Sequence, residues 1–251
     1  MKRMICGLMI NSICISSWAA CSYDFDATQT QISVPFQGFQ KFPSIIGQKT
    51  SFTVASTSSP QMFVAANGAA ISGQNNGLTV PQSGIFAYEY KIKVPTTLLP
   101  NNEQIIMYPN YADAYYNGGK NQIVVMYANH LQGSAAPDKV IFVVGSTNDG
   151  NNGLIELPVS NTSDGYQKIG IYVNQNSNQV GIIYNGINQG YISSNPIKFI
   201  NLAFTNGFSY YDIGQNSPNI GKEYSVELIT DKNKFQFTYP IGTTDICGNT
   251  I

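Results

Sequence analysis

The sequence predicts an all-β protein, built as a sandwich of two antiparallel sheets. Between Tyr166 and Ile192, apolar residues recur at every second position in two runs, which the polar segment 174–179 separates. Elsewhere, roughly a dozen short apolar runs are bounded by Gly, Asn or Pro, which is typical of sandwich strands. No apolar pattern of helical period persists for about 10 residues, so we expect helices to be short or absent.

The clearest hairpin lies at Tyr166–Ile192. Its buried face is predicted to carry Ile169, Ile171, Val173, Val180, Ile182 and Tyr184. Each of these side chains would contribute roughly 1.5–3 kcal/mol when buried. Asn185-Gly186 then supplies a tight turn, because both residue types tolerate a positive φ.

The clearest single strand is Ile85–Val94. Its core face is predicted to carry Phe86, Tyr88, Tyr90, Ile92 and Val94, and its water-facing side Ala87, Glu89, Lys91 and Lys93. Shorter strands are predicted at Ser22–Ala27, Gln31–Val34, Ser51–Ser56, Met62–Ala66, Gln104–Tyr108, Gln122–Ala128, Lys139–Val144, Leu154–Val159, Ile197–Phe204, Glu223–Ile229 and Phe235–Tyr239.

Residues 1–20 are predicted to be a secretory signal peptide. A basic start, Lys2-Arg3, precedes an apolar stretch and a small-residue end, with cleavage after Ala19 or Ala20. The apolar stretch is too short to span a membrane, and no later stretch approaches about 18 apolar residues. We therefore expect one exported domain, 21–251, that is periplasmic, secreted or displayed at the cell surface. If cleavage occurs directly before Cys21, the protein could instead be a lipoprotein with the lipid attached to that cysteine.

The cysteine count favours a disulfide over a lipid. Of the 4 cysteines, Cys6 and Cys14 fall in the signal segment, which leaves Cys21 and Cys247. An even pair in an exported protein predicts a disulfide, worth about 5 kcal/mol for so long a loop in the chain-entropy model. The bond would require the two ends of the domain to be neighbours.

The composition argues against nucleic-acid binding. Lys2 and Arg3 account for two of the 13 basic residues, and those beyond the signal are all lysines, set against 14 acidic residues. Nucleic-acid binding needs a basic stripe and usually arginine. The absence of arginine also removes the side chain that binds phosphate or carboxylate in bidentate fashion.

Part of the chain resembles a known superfamily. The strands of Tyr166–Tyr184, the Asn185-Gly186 turn and the run Lys198–Gly207 resemble the back half of a concanavalin A-like or laminin-G-like jelly roll. This resemblance implies a jelly-roll sandwich. The whole chain, from its CSYDFDA start to its TTDICG end, also resembles an uncharacterised family of exported proteobacterial proteins, which implies no activity.

The resemblance to concanavalin A-like folds brings glycosidases and polysaccharide lyases into consideration. A glycosidase needs two carboxylates, and the candidate pairs are Asp24 with Asp26 and Glu223 with Glu227. A lyase would use a Tyr or His base, with Arg, Gln or Asn to neutralise the uronate carboxylate. Its Gln-Ile-x-His motif appears here as Gln122-Ile-Val-Val125, without the histidine. We therefore assign no catalytic residue.

Metal binding is also not expected. The lone His130 forms neither a typical zinc site nor a Ser-His-Asp triad with a recognisable nucleophile elbow. The segment 146–153 offers Asn148, Asp149 and Asn151 as oxygen ligands for Ca²⁺, but it lacks EF-hand spacing, and an ordinary Asn/Gly loop explains it better.

The segment Tyr108–Lys120 is the candidate binding loop. Its predicted binding residues are Tyr108, Asn110, Tyr111, Asp113, Tyr115, Tyr116 and Asn117. Aromatic faces stack on the C–H faces of sugars, and amides and carboxylates bind hydroxyls. Tyrosine-rich surfaces also suit protein partners, because they offer large contact area at little entropic cost.

These observations predict an exported, non-catalytic binding module, lectin-like or adhesive, for a glycan or a cell-surface protein. Two alternatives stay open. One is a carbohydrate-active enzyme with an unrecognised acid pair. The other is a structural or pilus-associated subunit, which would leave a strand groove exposed.

Overall fold

The computed structural model describes residues 21–74, 77–100, 102–116, 119–129, 139–145, 153–194 and 198–251. The predicted signal peptide, His130 and the segment 146–152, which holds the oxygen ligands considered for Ca²⁺, lie outside the described residues. Among the described residues, no helix is long and apolar enough to cross a membrane.

Two sheets of eight strands each pack face to face, as the sequence predicts. In spatial order, sheet A contains β1 (Gln40–Lys41), β4 (Gln61–Ala66), β14 (Asn201–Tyr211), β7 (Gln104–Tyr116), β8 (Gly119–Asn129), β9 (Lys139–Gly145) and β10 (Gly153–Pro158), with β5 (Leu78–Thr79) also paired to β14. Sheet B contains β13 (Ile187–Ser194), β12 (Gln179–Tyr184), β11 (Tyr166–Asn174), β6 (Ile85–Lys93), β15 (Glu223–Ile229), β3 (Lys49–Thr53) and β2 (Ser44–Ile46), with β16 (Thr243–Asp245) paired to β6.

Neighbouring strands are antiparallel except for two short parallel pairs, β1 with β4 and β16 with β6. Helical structure in the described chain is confined to α1 (Gln29–Ser33), α2 (Gly68–Ile71) and a 3₁₀ turn at Lys232–Lys234.

The core lies between the sheets and is rich in aromatic side chains. Phe86, Tyr88, Tyr90 and Ile92 on β6 have no exposed surface, as the alternation of this strand predicts. Tyr90 donates a hydrogen bond across the sandwich to Asn110 Oδ1 at 2.8 Å. The two sheets are therefore joined by a buried polar contact as well as by apolar packing.

The central hairpin is confirmed. β11 and β12 pair antiparallel with Ile171 opposite Ile182, and all six predicted core side chains are buried. Asn185 and Gly186 have φ of 48° and 86° and turn the chain into β13. Positive φ at both positions matches a turn whose twist suits antiparallel strands.

The terminal disulfide is also confirmed. Cys21 and Cys247 are bonded, with 5.8 Å between their Cα atoms, although 226 residues separate them in sequence. A lipid on Cys21 would need the same sulfur atom, so the disulfide contradicts the lipoprotein alternative.

Near the N-terminus, the strand predictions are wrong. Gln31–Val34 belongs to α1 and its C-cap rather than to a strand, because Thr28 and Gln31 form a reciprocal capping box. Ser22–Ala27 is extended, with Tyr23, Phe25 and Ala27 buried in alternation, but it forms no ladder with either sheet. In this segment, every second side chain is therefore buried although the backbone does not pair with a strand.

Part of the outer face of β6 is covered by protein, contrary to the prediction that this face lies in water. Ala87 and Glu89 are buried under residues 235–239, and Phe235, Phe237 and Tyr239 form a small cluster there. The predicted strand Phe235–Tyr239 is absent, because its backbone donors bind a side chain instead of a neighbouring strand. Gln236 N and Phe237 N both donate to the Glu89 carboxylate, at 2.9–3.1 Å.

Candidate functional site

A cleft of about 550 Å³ lies on the outer face of sheet A. Its floor is the strand β14, whose side chains alternate between the two faces of the sheet. Leu202, Phe204 and Phe208 point into the core, so Ala203 and Gly207 take the outer face together with Thr205, which lies between them. These outward residues are small, and the strand therefore lies low between the taller side chains on either side of it.

One wall of the cleft comes from β7 and β8. Tyr111, Asp113 and Tyr115 alternate outward along β7, while Ala112 and Ala114 between them are buried. The register places Asp113 opposite Gln122 and Tyr115 opposite Lys120 on β8. The segment that the sequence analysis treated as a loop is thus mostly strand.

A β-bulge adds Tyr108 to the same wall. Gly207 of β14 pairs with Tyr108 of β7, and Thr205 pairs with Tyr111. A step of two residues along β14 therefore matches a step of three along β7. Pro109 lies in this bulge, where the missing N–H does not interrupt a regular ladder. The bulge places Tyr108 and Tyr111 on one face despite their odd spacing, and it turns Asn110 into the core.

The polar wall is internally bonded. Gln122 Nε2 donates to the Tyr111 hydroxyl and lies 3.5 Å from Asp113 Oδ1. Lys120 Nζ lies 3.3 Å from Asp113 Oδ2, and, besides burial, the nearby charge of the Asp113 carboxylate raises the pKa of the Tyr115 phenol. Asp113 therefore accepts from Lys120 and Gln122, and Gln122 links it to the Tyr111 hydroxyl.

The two phenols of this wall are held in their protonated form. Burial raises the pKa of Tyr111 and of Tyr115, and the negative charge of Asp113 raises each further. At neutral pH both hydroxyls therefore act as hydrogen-bond donors or neutral acceptors, not as phenolate bases.

The opposite wall is apolar. Pro35, Phe36 and Phe39 follow α1, and Ile71 ends α2. The rings of Phe36 and Phe39 meet edge to face, with centroids 6.1 Å apart. A ligand in the cleft would meet aromatic and aliphatic surface on this side and hydrogen-bonding groups on the other.

This apolar wall is fixed to the sheet by its own small core. The buried Ile32 of α1 packs with Val64 and Ala66 of β4. Gln31 Nε2 then donates to the Gly68 carbonyl at 3.2 Å, which joins α1 to α2. The wall is therefore preformed.

Asp26, which forms a candidate acid pair with Asp24, bonds to the start of α2. Both residues are exposed, and Asp26 Oδ1 accepts from Gly68 N at 2.8 Å and from Asn67 Nδ2 at 3.3 Å. Asn67 itself caps the N-terminus of α2 by accepting from Ala70 N. Asp26 thus holds α2 in place.

The second candidate pair lies on the other sheet. Glu223 forms an ion pair with Lys49 at 3.5 Å, and Glu227 forms one with Lys91 at 4.0 Å. Both glutamates are partly exposed on the outer face of sheet B. This is the pattern of a solvated strand face.

The structure brings together four of the predicted binding residues, Tyr108, Tyr111, Asp113 and Tyr115, in one cleft. Asn110 is not among them, because it is fully buried and donates to the Ile123 carbonyl at 2.9 Å. Tyr116 ends β7, and Asn117 lies outside the described residues.

The floor and the apolar wall of the cleft are not predicted from the sequence. The missed lining residues are Pro35, Phe36, Phe39, Val64, Ala70, Ile71, Lys120, Ala203, Thr205 and Gly207. The alternation of core-facing and outward-facing residues along β14 is a sequence pattern from which the floor could be predicted. The aromatic wall lies some 70 residues earlier in sequence, and no local pattern connects it to β7.

Asn110→Ala is expected to affect stability and not binding. The change leaves the Tyr90 hydroxyl and the Ile123 carbonyl without their buried partner, so the free energy of unfolding should fall by about 1–3 kcal/mol. Urea denaturation measures this loss. If the loss comes from the Tyr90 contact, Tyr90→Phe combined with Asn110→Ala should cost less than the sum of the single changes. Additive losses would contradict this assignment.

Comparison with known proteins gives one family and several distant structures. The family model described as Domain of unknown function (DUF4882) matches residues 5–121 and 143–249. No curated protein sequence matches the chain.

Among the solved structures that resemble the chain are three proteins of low sequence identity. A legume lectin-like domain from Entamoeba histolytica is 12% identical, with 75% of this chain and 85% of that chain covered and a TM-score of 0.41. A marine PL7 alginate lyase from Zobellia galactanivorans is 11% identical over 67% and 74%, with a TM-score of 0.37. A tetrameric galectin from a Cinachyrella sponge is 12% identical over 68% and 99%, with a TM-score of 0.30.

Identities and TM-scores this low carry no argument about ligand or chemistry, so the function has to come from the cleft itself.

Proposed function

We propose that this chain, which belongs to the DUF4882 family, is a non-catalytic carbohydrate-binding module whose ligand occupies the cleft of sheet A. The observation that carries the proposal is the amphipathic lining. An apolar wall built on Phe36 and Phe39 faces a hydrogen-bonding wall built on Tyr111, Asp113 and Tyr115.

Sugar rings have the matching chemistry. A pyranose presents C–H groups on its faces and hydroxyls around its edge, so it can contact both walls at once. The volume of about 550 Å³ falls within the roughly 300–1,000 Å³ of typical ligand clefts. A concave site of this size suits a saccharide better than the broad, flat contact of a protein partner.

The polar wall supports binding more than catalysis. Among the described residues that line the cleft, Asp113 is the one carboxylate, whereas glycoside hydrolysis uses two. Burial and the charge of Asp113 raise the pKa of Tyr111 and of Tyr115, which disfavours the phenolate that a tyrosine base would use. The same groups serve well as donors to sugar oxygens.

We also infer that the protein works outside the cytoplasm. The Cys21–Cys247 disulfide is of the kind that persists in oxidising compartments. The signal peptide predicted at 1–20 would deliver the chain there. Glycans of a cell surface or matrix are then within reach.

Filling the floor of the cleft tests this function. Ala203→Phe should abolish binding on a glycan array, because the new ring would occupy the space between the two walls. The melting temperature should change little, since Ala203, although only 9% exposed, lies on the floor of the cleft and not between the two sheets. Ala55→Phe is the matched control, an exposed alanine that does not line the cleft. Equal binding by wild type and Ala203→Phe would refute the cleft as the site.

A further inference from the structure

The charges of the cleft are few and mutually neutralised. Among the described lining residues, Asp113 and Lys120 are the charged ones, and they form an ion pair at 3.3 Å. The lining therefore carries no net charge. An anionic ligand would meet no uncompensated cation there.

The two charges are not equally placed. The Lys120 side chain is 48% exposed, whereas that of Asp113 is 21% exposed. Asp113 also accepts from Gln122 Nε2 at 3.5 Å, so its carboxylate cannot turn away from a ligand without breaking that contact and the ion pair. The lysine can extend into solvent, but the aspartate stays in the wall.

Arginine is absent from the rest of the domain as well. The single arginine of the sequence is Arg3, in the predicted signal segment. The side chain best suited to bind a carboxylate or sulfate in bidentate fashion is thus not offered by any described residue.

We propose that Asp113 makes the cleft selective for uncharged glycans over glycans that carry uronate or sulfate groups. This inference rests on the proposed function. A ligand carboxylate near the polar wall would lie close to the Asp113 carboxylate in a site partly shielded from water, where repulsion is stronger than in bulk solvent. Hydroxyls, by contrast, can donate to Asp113 and accept from Tyr111.

A glycan array that carries uncharged, uronate-bearing and sulfated oligosaccharides tests the inference with the purified protein. Wild type should bind uncharged glycans at least about tenfold more strongly than the anionic ones. Asp113→Asn, which keeps the size and one acceptor oxygen, should unmask Lys120 and raise binding to anionic glycans at low salt. That gain should disappear as salt is raised, because screening weakens the exposed cation.

Lys120→Gln is the matched control, since it should produce no gain on anionic glycans. Preferential binding of anionic glycans by wild type would overturn the inference and leave carbohydrate binding intact. A neutral preference that persists unchanged in Asp113→Asn would remove Asp113 as its cause. Binding to no glycan of any charge would overturn the proposed function, and this inference with it.

Discussion

Removing the terminal disulfide is expected to lower the free energy of unfolding by about 5 kcal/mol in the chain-entropy model. The bond closes a loop of 226 residues, so it restricts nearly every unfolded conformation of the domain. Cys21 is 5% exposed, and its carbonyl accepts from Thr230 Oγ1 at 2.7 Å. The folded geometry of this end is therefore supported by contacts other than the disulfide.

Guanidinium denaturation of Cys21→Ala/Cys247→Ala beside wild type measures the loss. Wild type in reducing agent should match the double variant, because both lack the cross-link. The native spectrum should persist in the variant without denaturant, since the hydrogen bonds at Thr230 remain. A midpoint that is the same with and without the disulfide would show that the loop constraint contributes nothing.

Glu89→Ala is expected to cost about 3 kcal/mol or more, because it leaves the buried Tyr239 hydroxyl and two partly buried backbone N–H groups without an acceptor. Glu89 is 1% exposed and accepts from Gln236 N, Phe237 N and the Tyr239 hydroxyl. These contacts hold residues 235–239 against the outer face of sheet B. Their loss should release this segment and expose the small cluster beneath it.

Glu227→Ala is the matched control on the neighbouring strand. Glu227 forms only a partly exposed ion pair with Lys91, at 4.0 Å, so its loss should cost about 0–1 kcal/mol. Urea denaturation compares the two variants. Equal, small losses would contradict the anchoring role of Glu89.

The pH dependence of stability gives a second readout for Glu89. Burial raises the pKa of this carboxyl above its ordinary value of 4.5, and the hydrogen bonds from residues 236, 237 and 239 offset part of that rise. The folded state therefore binds the proton more tightly than the unfolded state does. This group's contribution to stability should be present below pH 4.5 and decline as pH rises through the folded pKa. Glu89→Gln should lack this decline.

Much of the fold can be predicted from patterns within short segments of the sequence. The hairpin at Tyr166–Ile192 is determined by period-2 alternation and by the Asn185-Gly186 turn, both of which can be read within one segment. The disulfide followed from cysteine arithmetic. The hairpin depends on residues that are neighbours in sequence, and the disulfide is the one pairing that two remaining cysteines allow.

The errors arose where distant residues decide local structure. Phe235–Tyr239 alternates like a strand, but Glu89, far away in sequence, accepts its backbone donors. Tyr108–Lys120 is rich in loop-forming residues, but pairing with β14 and β8 makes most of it strand. Composition identified the tyrosines of the site, while the bulge at Pro109 decided which of them face the cleft.

The partner wall of the cleft could not be predicted from the tyrosine segment. Phe36 and Phe39 reach the cleft because Ile32 packs on β4, and β4 pairs with β14. This chain of contacts spans two strand pairings that are remote in sequence. The sequence predicts the tyrosine-rich wall of the cleft, and the tertiary fold places the apolar wall opposite it.

The most direct test of the central claim is to map the position of a bound glycan by ¹H–¹⁵N chemical-shift changes during titration. Binding in the cleft predicts the largest changes at Tyr111–Tyr115, at Ala203–Gly207 and at Phe36–Phe39, with little change along β11 and β12. Changes that concentrate on sheet B, or the absence of any change with every glycan that the array selects, would contradict the assignment of the cleft as a carbohydrate site.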